Sequence, residues 1–139
     1  MPVVHFHLCE ANTSEQKCQE LLERASQEYA RILEAPMERV RAFATVHKEV
    51  QFAAQGSVVA NGGIPAPFFE AIILRGRPAS QRTELIACIN QLIADVLAID
   101  PQIIRGRIIQ VDPEDWCIAG KTAAEARKSE IEARARAAT

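Results

Sequence analysis

The residues in this sequence most suited to chemistry are a proline at position 2 and two arginines that lie close together in one loop. If Met1 is removed, the ring nitrogen of Pro2 becomes a secondary amine at the start of a strand-like segment, "PVVHFHL". An α-amino group titrates at roughly 7.7–8.0, and burial or nearby cations lower that pKa by disfavouring the charged form. A neutral amine can act as a general base or attack a carbonyl carbon. The sequence therefore predicts that chemistry at Pro2.

Arg75 and Arg77 flank a glycine in "LRGRPAS", between a predicted strand and the helix that follows it. Residues two apart in an extended chain point to the same side. Two guanidinium groups beside a helix amino terminus are suited to bind a carboxylate. The loop therefore predicts an anion site near Pro2, although two solvated arginines would fit the same pattern.

The spacing of the apolar residues predicts the elements that position these groups. Strands are predicted at 2–8, 39–46, 69–75 and 104–110, and helices at 14–34, 80–98 and 122–137. Thr13 and Thr122 each precede a Gln or Glu by three residues, as in a capping box that begins a helix. Glycines and a proline between the second and third strands favour a short hairpin.

The chain also repeats itself, since Pro2 aligns with Pro67 and Pro36 with Pro101 at the same offset. Each repeat has the size of a β-α-β unit. The repeat halves lie at about 2–46 and 67–111.

We therefore predict an α/β fold in which a tandem β-α-β repeat forms a four-stranded mixed sheet within a single domain over 1–139. Both repeat helices would cover one face of the sheet, and a third helix would follow at 122–137. The other face would then need cover, which favours an oligomer.

Composition narrows the classes of function. The net charge of -2 and the aromatic content of 5% disfavour nucleic acid as a partner. No apolar run has the length of a membrane span, and no export signal is visible. The four cysteines form no C-x-x-C pair, which is typical of reduced thiols. A cytoplasmic enzyme or binding protein for small molecules is the expectation.

The amino-terminal proline, the doubled β-α-β pattern and the Arg-x-Arg loop together resemble the tautomerase superfamily. The chain length and the stretch "VDPEDWCIAG" are most similar to its malonate semialdehyde decarboxylase branch, which carries Asp-Trp followed closely by Gly. Here Asp115, Trp116 and Gly120 stand in that pattern. The resemblance covers essentially the whole chain.

The resemblance implies that Pro2 is the catalytic amine and that Arg75 and Arg77 hold the substrate carboxylate or polarise its carbonyl. It also implies that Glu38 activates water or positions the polar end of the substrate, and that Trp116 walls the pocket. The family pattern implies a homotrimer whose sheets line a central barrel. No cofactor or metal is expected, because the carbonyl of the substrate is itself the electron sink.

The sequence departs from the family pattern at three places. Glu38 stands where the decarboxylase has an aspartate, and Tyr29 stands where a related dehalogenase branch has a histidine. No glutamate stands at the right place near Trp116, so dehalogenation of chloroacrylates is disfavoured.

The favoured prediction is an enol–keto tautomerase for small 2-oxo acids such as phenylenolpyruvate. Tyr29 and Trp116 would then contact the substrate. The alternatives are a malonate semialdehyde-type decarboxylase or hydratase, and a non-catalytic trimeric binding module.

Each of the remaining candidate residues also has a structural explanation. Tyr29 fits a core position, Glu38 a surface charge and Trp116 a packing anchor. His5 and His7 alternate with Cys9 on one side of the first strand, where three such ligands can hold a metal. Their spacing matches no zinc pattern, no fourth ligand is evident, and packing at a subunit interface explains them better.

Overall fold

The computed structural model describes residues 2–138 as a four-stranded sheet with two long helices packed together. The strands are β1 (Val3–Cys9), β2 (Arg41–His47), β3 (Ala53–Ala54), β4 (Ser57–Val58), β5 (Phe68–Leu74), β6 (Arg105–Val111), β7 (Cys117–Ile118) and β8 (Lys121–Thr122). The helices are α1 (Glu15–Leu33), α2 (Ala79–Leu97), α3 (Ala123–Ala126) and α4 (Lys128–Ala137). The main sheet has the order β2-β1-β5-β6. Its central pair is antiparallel and both outer pairs are parallel, so the predicted mixed α/β sheet is confirmed.

The two halves have the same local geometry where each parallel pair begins. The carbonyl of Pro2 accepts a hydrogen bond from the Arg41 amide at 3.0 Å, and the carbonyl of Pro67 accepts one from Arg105 at 3.2 Å. In each half a 19-residue helix crosses from the first strand to the parallel second strand. Pro2 and Pro67 are therefore pseudo-equivalent, and both are buried.

The core lies between the sheet and the two helices, because period-two apolar residues on β1 and β5 meet the apolar stripes of α1 and α2. Fully buried members are Val4, Phe6, Leu8, Leu21, Tyr29, Phe69, Ile73, Leu85, Ile89 and Ile93. Gly106 on β6 completes this packing, since a Cβ there would lie 2.3 Å from the Phe69 ring. Only glycine leaves room for that ring at this position.

The alternate residues of the strands form the second face of the sheet, which points away from this core. It includes Val3, His5, Phe43 and Glu70, with Phe43 53% exposed. The register places Phe43 and Glu70 on either side of His5. This second face therefore mixes apolar and ionisable side chains.

Two predicted helix boundaries need correction. Ser14, not Thr13, caps α1 by accepting a hydrogen bond from the Lys17 amide at 3.2 Å. The predicted single helix at 122–137 is two helices, because the backbone of Arg127 leaves helical geometry at φ -125° and ψ 26°. No glycine or proline marks that break, so the sequence pattern continues through it.

Other expectations hold. Thr122 caps α3 through the Glu125 amide, and β3 and β4 form the predicted hairpin around Gln55 and Gly56, both with positive φ. Within residues 2–138, no helix has both the length and the apolar character needed to cross a membrane.

Candidate active site

Pro2 lies buried at the start of β1, beneath the C-terminal helix α4. A small cavity of about 20 Å³ adjoins it, which is room for about one water molecule. The residues around this cavity are Pro2, Ala35, Leu74, Ile131, Glu130, Arg39, Arg77, Arg127 and Arg134. The sequence expectation of a proline at the head of an ordered strand is therefore what the structure shows.

The wall of this cavity is strongly cationic. Four of its residues are arginines, at positions 39, 77, 127 and 134, and the one acidic residue among them is Glu130. A concentration of positive charge stabilises a bound anion and disfavours protonation of an amine nearby. The surroundings of Pro2 thus have the electrostatic character that an amine base for anionic substrates requires.

Arg39 ends a short 3₁₀ turn, Met37–Arg39, and reaches across to α4. Its two terminal nitrogens donate to the two carboxylate oxygens of Glu130, each at 2.9 Å. The hydrogen bond with Arg39 holds the pKa of the Glu130 carboxyl below its usual value, so Glu130 is ionised at neutral pH. This paired contact fixes α4 over Pro2.

Two buried donors at this site have no acceptor among residues 2–138: the Nε atoms of Arg39 and Arg127. A buried donor without a partner costs free energy, and such groups in a native structure call for an explanation.

Arg77 is the one arginine of the predicted Arg-x-Arg pair that lines the Pro2 cavity. It donates to the Leu33 carbonyl at 2.7 Å and to Gln81 Oε1 at 3.2 Å, which satisfies a carbonyl at the carboxyl end of α1. Burial, with a contribution from the nearby Arg134, lowers the pKa of Arg77 to about 10. The side chain is still charged at neutral pH. It therefore holds the end of α1 in place and also adds positive charge to the Pro2 cavity.

A larger cavity of about 380 Å³ lies beside the first and shares Arg39 and Arg127 with it. This volume is in the range of small-molecule sites. Its other residues are Val3, Glu38, Arg41, Trp116, Cys117, Ile118 and Ala119. The structure therefore brings the predicted Glu38 and Trp116 together, next to the strand that begins at Pro2.

Arg75 lies outside both cavities. Gly76 has φ +120°, so the chain turns between the two arginines and they diverge instead of pointing to one side as predicted. The Nε of Arg75 donates to Asp112 at 2.6 Å, and the side chain is 57% exposed. A catalytic role for Arg75 stays a prediction that this geometry does not favour.

Tyr29 also lies outside both cavities, in the core under the sheet. Its hydroxyl lies 3.1 Å from the carbonyl oxygens of Val3 and Ile72, to which it donates, and no part of the residue is exposed. Burial raises the pKa of the phenol. The contact joins β1 to β5 immediately after Pro2. Tyr29 therefore holds in place the strand that begins at Pro2, without lining either cavity. Its predicted contact with substrate has no counterpart in this arrangement.

Three arginines around Pro2 are not evident from the sequence: Arg39, Arg127 and Arg134. The charges around positions 39 and 41 resemble an ordinary surface turn, and the C-terminal "EARARAAT" resembles a solvated helix. One feature of the sequence could have indicated Arg39: it directly follows Glu38, a predicted site residue, in the same turn.

Structural comparison finds close neighbours of this fold, whereas no protein-family model and no curated protein sequence matches the chain. A structure of native fused 4-OT is 28% identical, with a TM-score of 0.82 over 88% of this chain and 97% of that one. A fused 4-OT asymmetric trimer is 25% identical, with a TM-score of 0.80 over 89% and 98%. N1, a member of the cis-3-chloroacrylic acid dehalogenase family, is 17% identical, with a TM-score of 0.75 over 96% and 99%.

The two fused 4-OT neighbours are tautomerase-superfamily enzymes and support a tautomerase-type catalytic function, whereas N1 supports the fold. The malonate semialdehyde decarboxylase branch stays a prediction. The resemblance seen in the sequence is thus confirmed at the level of the superfamily, and the chain is a protein of the tautomerase fold.

Proposed function

We propose that this protein is a cofactor-independent enol–keto tautomerase for small 2-oxo acids, with Pro2 as the general base. The observation that carries the proposal is the burial of Pro2 among four arginines and one glutamate. If Pro2 is the first residue of the mature chain, the nearby arginines disfavour protonation of its amine, and a neutral amine can accept a proton.

The substrate carboxylate is assigned to the guanidinium groups of Arg39 and Arg127. Both line the two cavities, and each has a buried Nε that lacks an acceptor within residues 2–138. A carboxylate held there lies at the boundary between the large cavity and Pro2. Arg77 adds positive charge to the same region and helps to stabilise an enolate.

The reaction is a proton transfer in two steps. In the first step the nitrogen of Pro2 takes the proton from the enol oxygen and leaves an enolate. In the second step the oxygen forms the carbonyl, and the electron pair of the carbon–carbon double bond forms a new C–H bond at the far carbon. The protonated Pro2 returns the proton to that carbon, so atoms and charge balance. The cavity next to Pro2 holds about 20 Å³, so α4 must move aside for the reacting carbon to approach.

Decarboxylation of a malonate semialdehyde-type substrate is a second candidate, because Glu38 and Trp116 line the large cavity together. A carboxylate at Glu38 can position or activate a water, which hydration of a 3-oxo acid requires. This candidate predicts CO₂ release that depends on Glu38, and tautomerisation does not need that residue.

We also propose that the protein is a homotrimer. The fused 4-OT neighbours include trimers, and the second face of the sheet exposes apolar surface at Phe43. Association through this face would bury that surface.

The first experiment follows the ketonisation of phenylenolpyruvate by ultraviolet absorbance. We expect wild-type protein to accelerate the reaction and Pro2→Ala to lose at least about a hundredfold of that rate, the lower end of general-base contributions. Pro67→Ala is the matched control, because it removes the pseudo-equivalent buried proline, whose nitrogen lies inside the chain. It should retain catalysis if it folds, which circular dichroism checks.

Intact mass establishes whether Met1 has been removed before either rate is interpreted. A wild-type protein that lacks Met1 and gives no acceleration would rule out the tautomerase proposal for this substrate class. Release of CO₂ from malonate semialdehyde would then favour the second candidate, and its absence would favour a binding module.

A further inference from the structure

Three ionisable side chains converge on the second face of the sheet, and none of the three lines either cavity. His5 and His7 project from the same side of β1, and Glu70 pairs with His5 across β5. One ligand atom from each of the three lies within 4.8 Å of the other two. All three residues are half-buried in the single chain.

Each of these side chains is oriented by a bond made through another of its atoms. The Nδ1 of His7 lies 2.9 Å from the Nε2 of His47, which leaves His7 Nε2 facing Glu70 Oε1 at 3.9 Å. The Nε2 of His5 lies 2.7 Å from the Thr45 hydroxyl, and its Nδ1 takes no part in that bond. Metal-binding histidines in proteins characteristically have the second ring nitrogen held in this way.

The charges around the cluster decide whether a cation is tolerated. Arg107 donates to the other oxygen of Glu70 at 2.6 Å, but its side chain is 63% exposed and its charge is screened by water.

We propose that His5, His7 and Glu70 form a binding site for a divalent transition metal, with Zn²⁺ as the preferred ion. Two imidazoles and one carboxylate are a recurrent protein ligand set for zinc, with water as the fourth ligand. Ligand atoms about 2.0–2.1 Å from a tetrahedral zinc lie about 3.3 Å apart. The 3.9 Å between His7 and Glu70 therefore needs to close by about half an ångström, and the two pairs with His5, within 4.8 Å, by at most about 1.5 Å.

The test is equilibrium dialysis of the purified, metal-free oligomer against Zn²⁺, with a competing chromophoric chelator to set the affinity. We expect one Zn²⁺ per chain with a Kd of about 1 µM or tighter. His5→Ala, His7→Ala and Glu70→Gln should each weaken binding at least about tenfold, the range seen even for residues that only support a ligand. Arg107→Gln should retain or tighten binding, because it releases the carboxylate.

Cysteine thiols are the competing zinc ligands in this chain, and Cys117 is exposed. Binding of Co²⁺ distinguishes them, since thiolate ligands give an intense near-ultraviolet charge-transfer band and imidazole with carboxylate does not. Cys117→Ser is the matched control and should leave the affinity unchanged. Absence of binding at 100 µM Zn²⁺, or binding that the three ligand variants do not weaken although they fold, would overturn the proposal.

Discussion

At the scale of single residues, Tyr29 shows how a side chain can support a site without touching it. Its hydroxyl is buried and donates to two carbonyl oxygens, on Val3 of β1 and on Ile72 of β5. These strands meet just after Pro2, so the hydroxyl fixes the strand that presents the proposed base. The aromatic ring meanwhile fills the core between α1 and the sheet.

We expect Tyr29→Phe to lower the free energy of unfolding by about 1 kcal/mol, the net value of a typical hydrogen bond. Urea denaturation measures this change. Ser26→Ala is the control on the same helix, because the Ser26 hydroxyl donates only to the Leu22 carbonyl within the helix, a contact that adds little stability. Equal effects from the two substitutions would contradict a special role for the Tyr29 hydroxyl.

The residues of the site differ in how far the sequence could reveal them. Pro2, Glu38 and Trp116 could be proposed because each stands out locally, by residue type or by its place in a short motif. Arg39 and Arg127 could not, because their significance depends on a contact between a turn after α1 and a helix near the end of the chain. Arginines at such positions are usually solvated, and only tertiary packing turns them into buried donors.

At the scale of elements, the strands and the two long helices follow from periodicity, since apolar spacing is set by the geometry of each element. The break at Arg127 does not, because no local residue type imposes it. The break nevertheless matters for function. It separates α3 from α4, and α4 places Glu130 against Arg39 over Pro2.

Glu130 takes both terminal nitrogens of Arg39 and offsets its charge, which weakens the attraction of Arg39 for a substrate carboxylate at its Nε. We expect Glu130→Gln to lower KM for a 2-oxo acid several-fold, and Arg39→Gln to raise it at least about tenfold, the worth of a charge-assisted hydrogen bond. Steady-state ketonisation rates measure both changes. Glu132→Gln, on an exposed position of α4, is the control and should leave KM unchanged.

The same pair gives a pH dependence. Because Arg39 lowers the pKa of Glu130 in the folded protein, the stabilisation from this ion pair is complete above the ordinary value of 4.5 and is lost as pH falls through the lowered pKa. The free energy of unfolding of Glu130→Gln should therefore approach that of wild type in acid. An increase in KM for Glu130→Gln at neutral pH would contradict the view that Glu130 offsets the charge with which Arg39 attracts the substrate.

At the scale of the whole molecule, the doubled β-α-β arrangement explains why one face of the sheet is buried under helices and the other is not. Both long helices cover the face that carries Val4 and Phe6. The second face combines the exposed Phe43 with the His5, His7 and Glu70 cluster. Aromatic residues are enriched at protein–protein interfaces, so the exposed Phe43 favours this face as a surface that associates.

If the second face forms the trimer interface, a charge placed in its apolar part should break the assembly. We expect wild-type protein to sediment as a species of three chains and Phe43→Asp to sediment as a single chain, because burying an unpaired carboxylate is strongly unfavourable. Ile86→Asp is the matched control, since Ile86 is 45% exposed on α2, on the other side of the molecule. Sedimentation that is the same for both variants would place the interface elsewhere, because a face that stays in water tolerates aspartate at position 43.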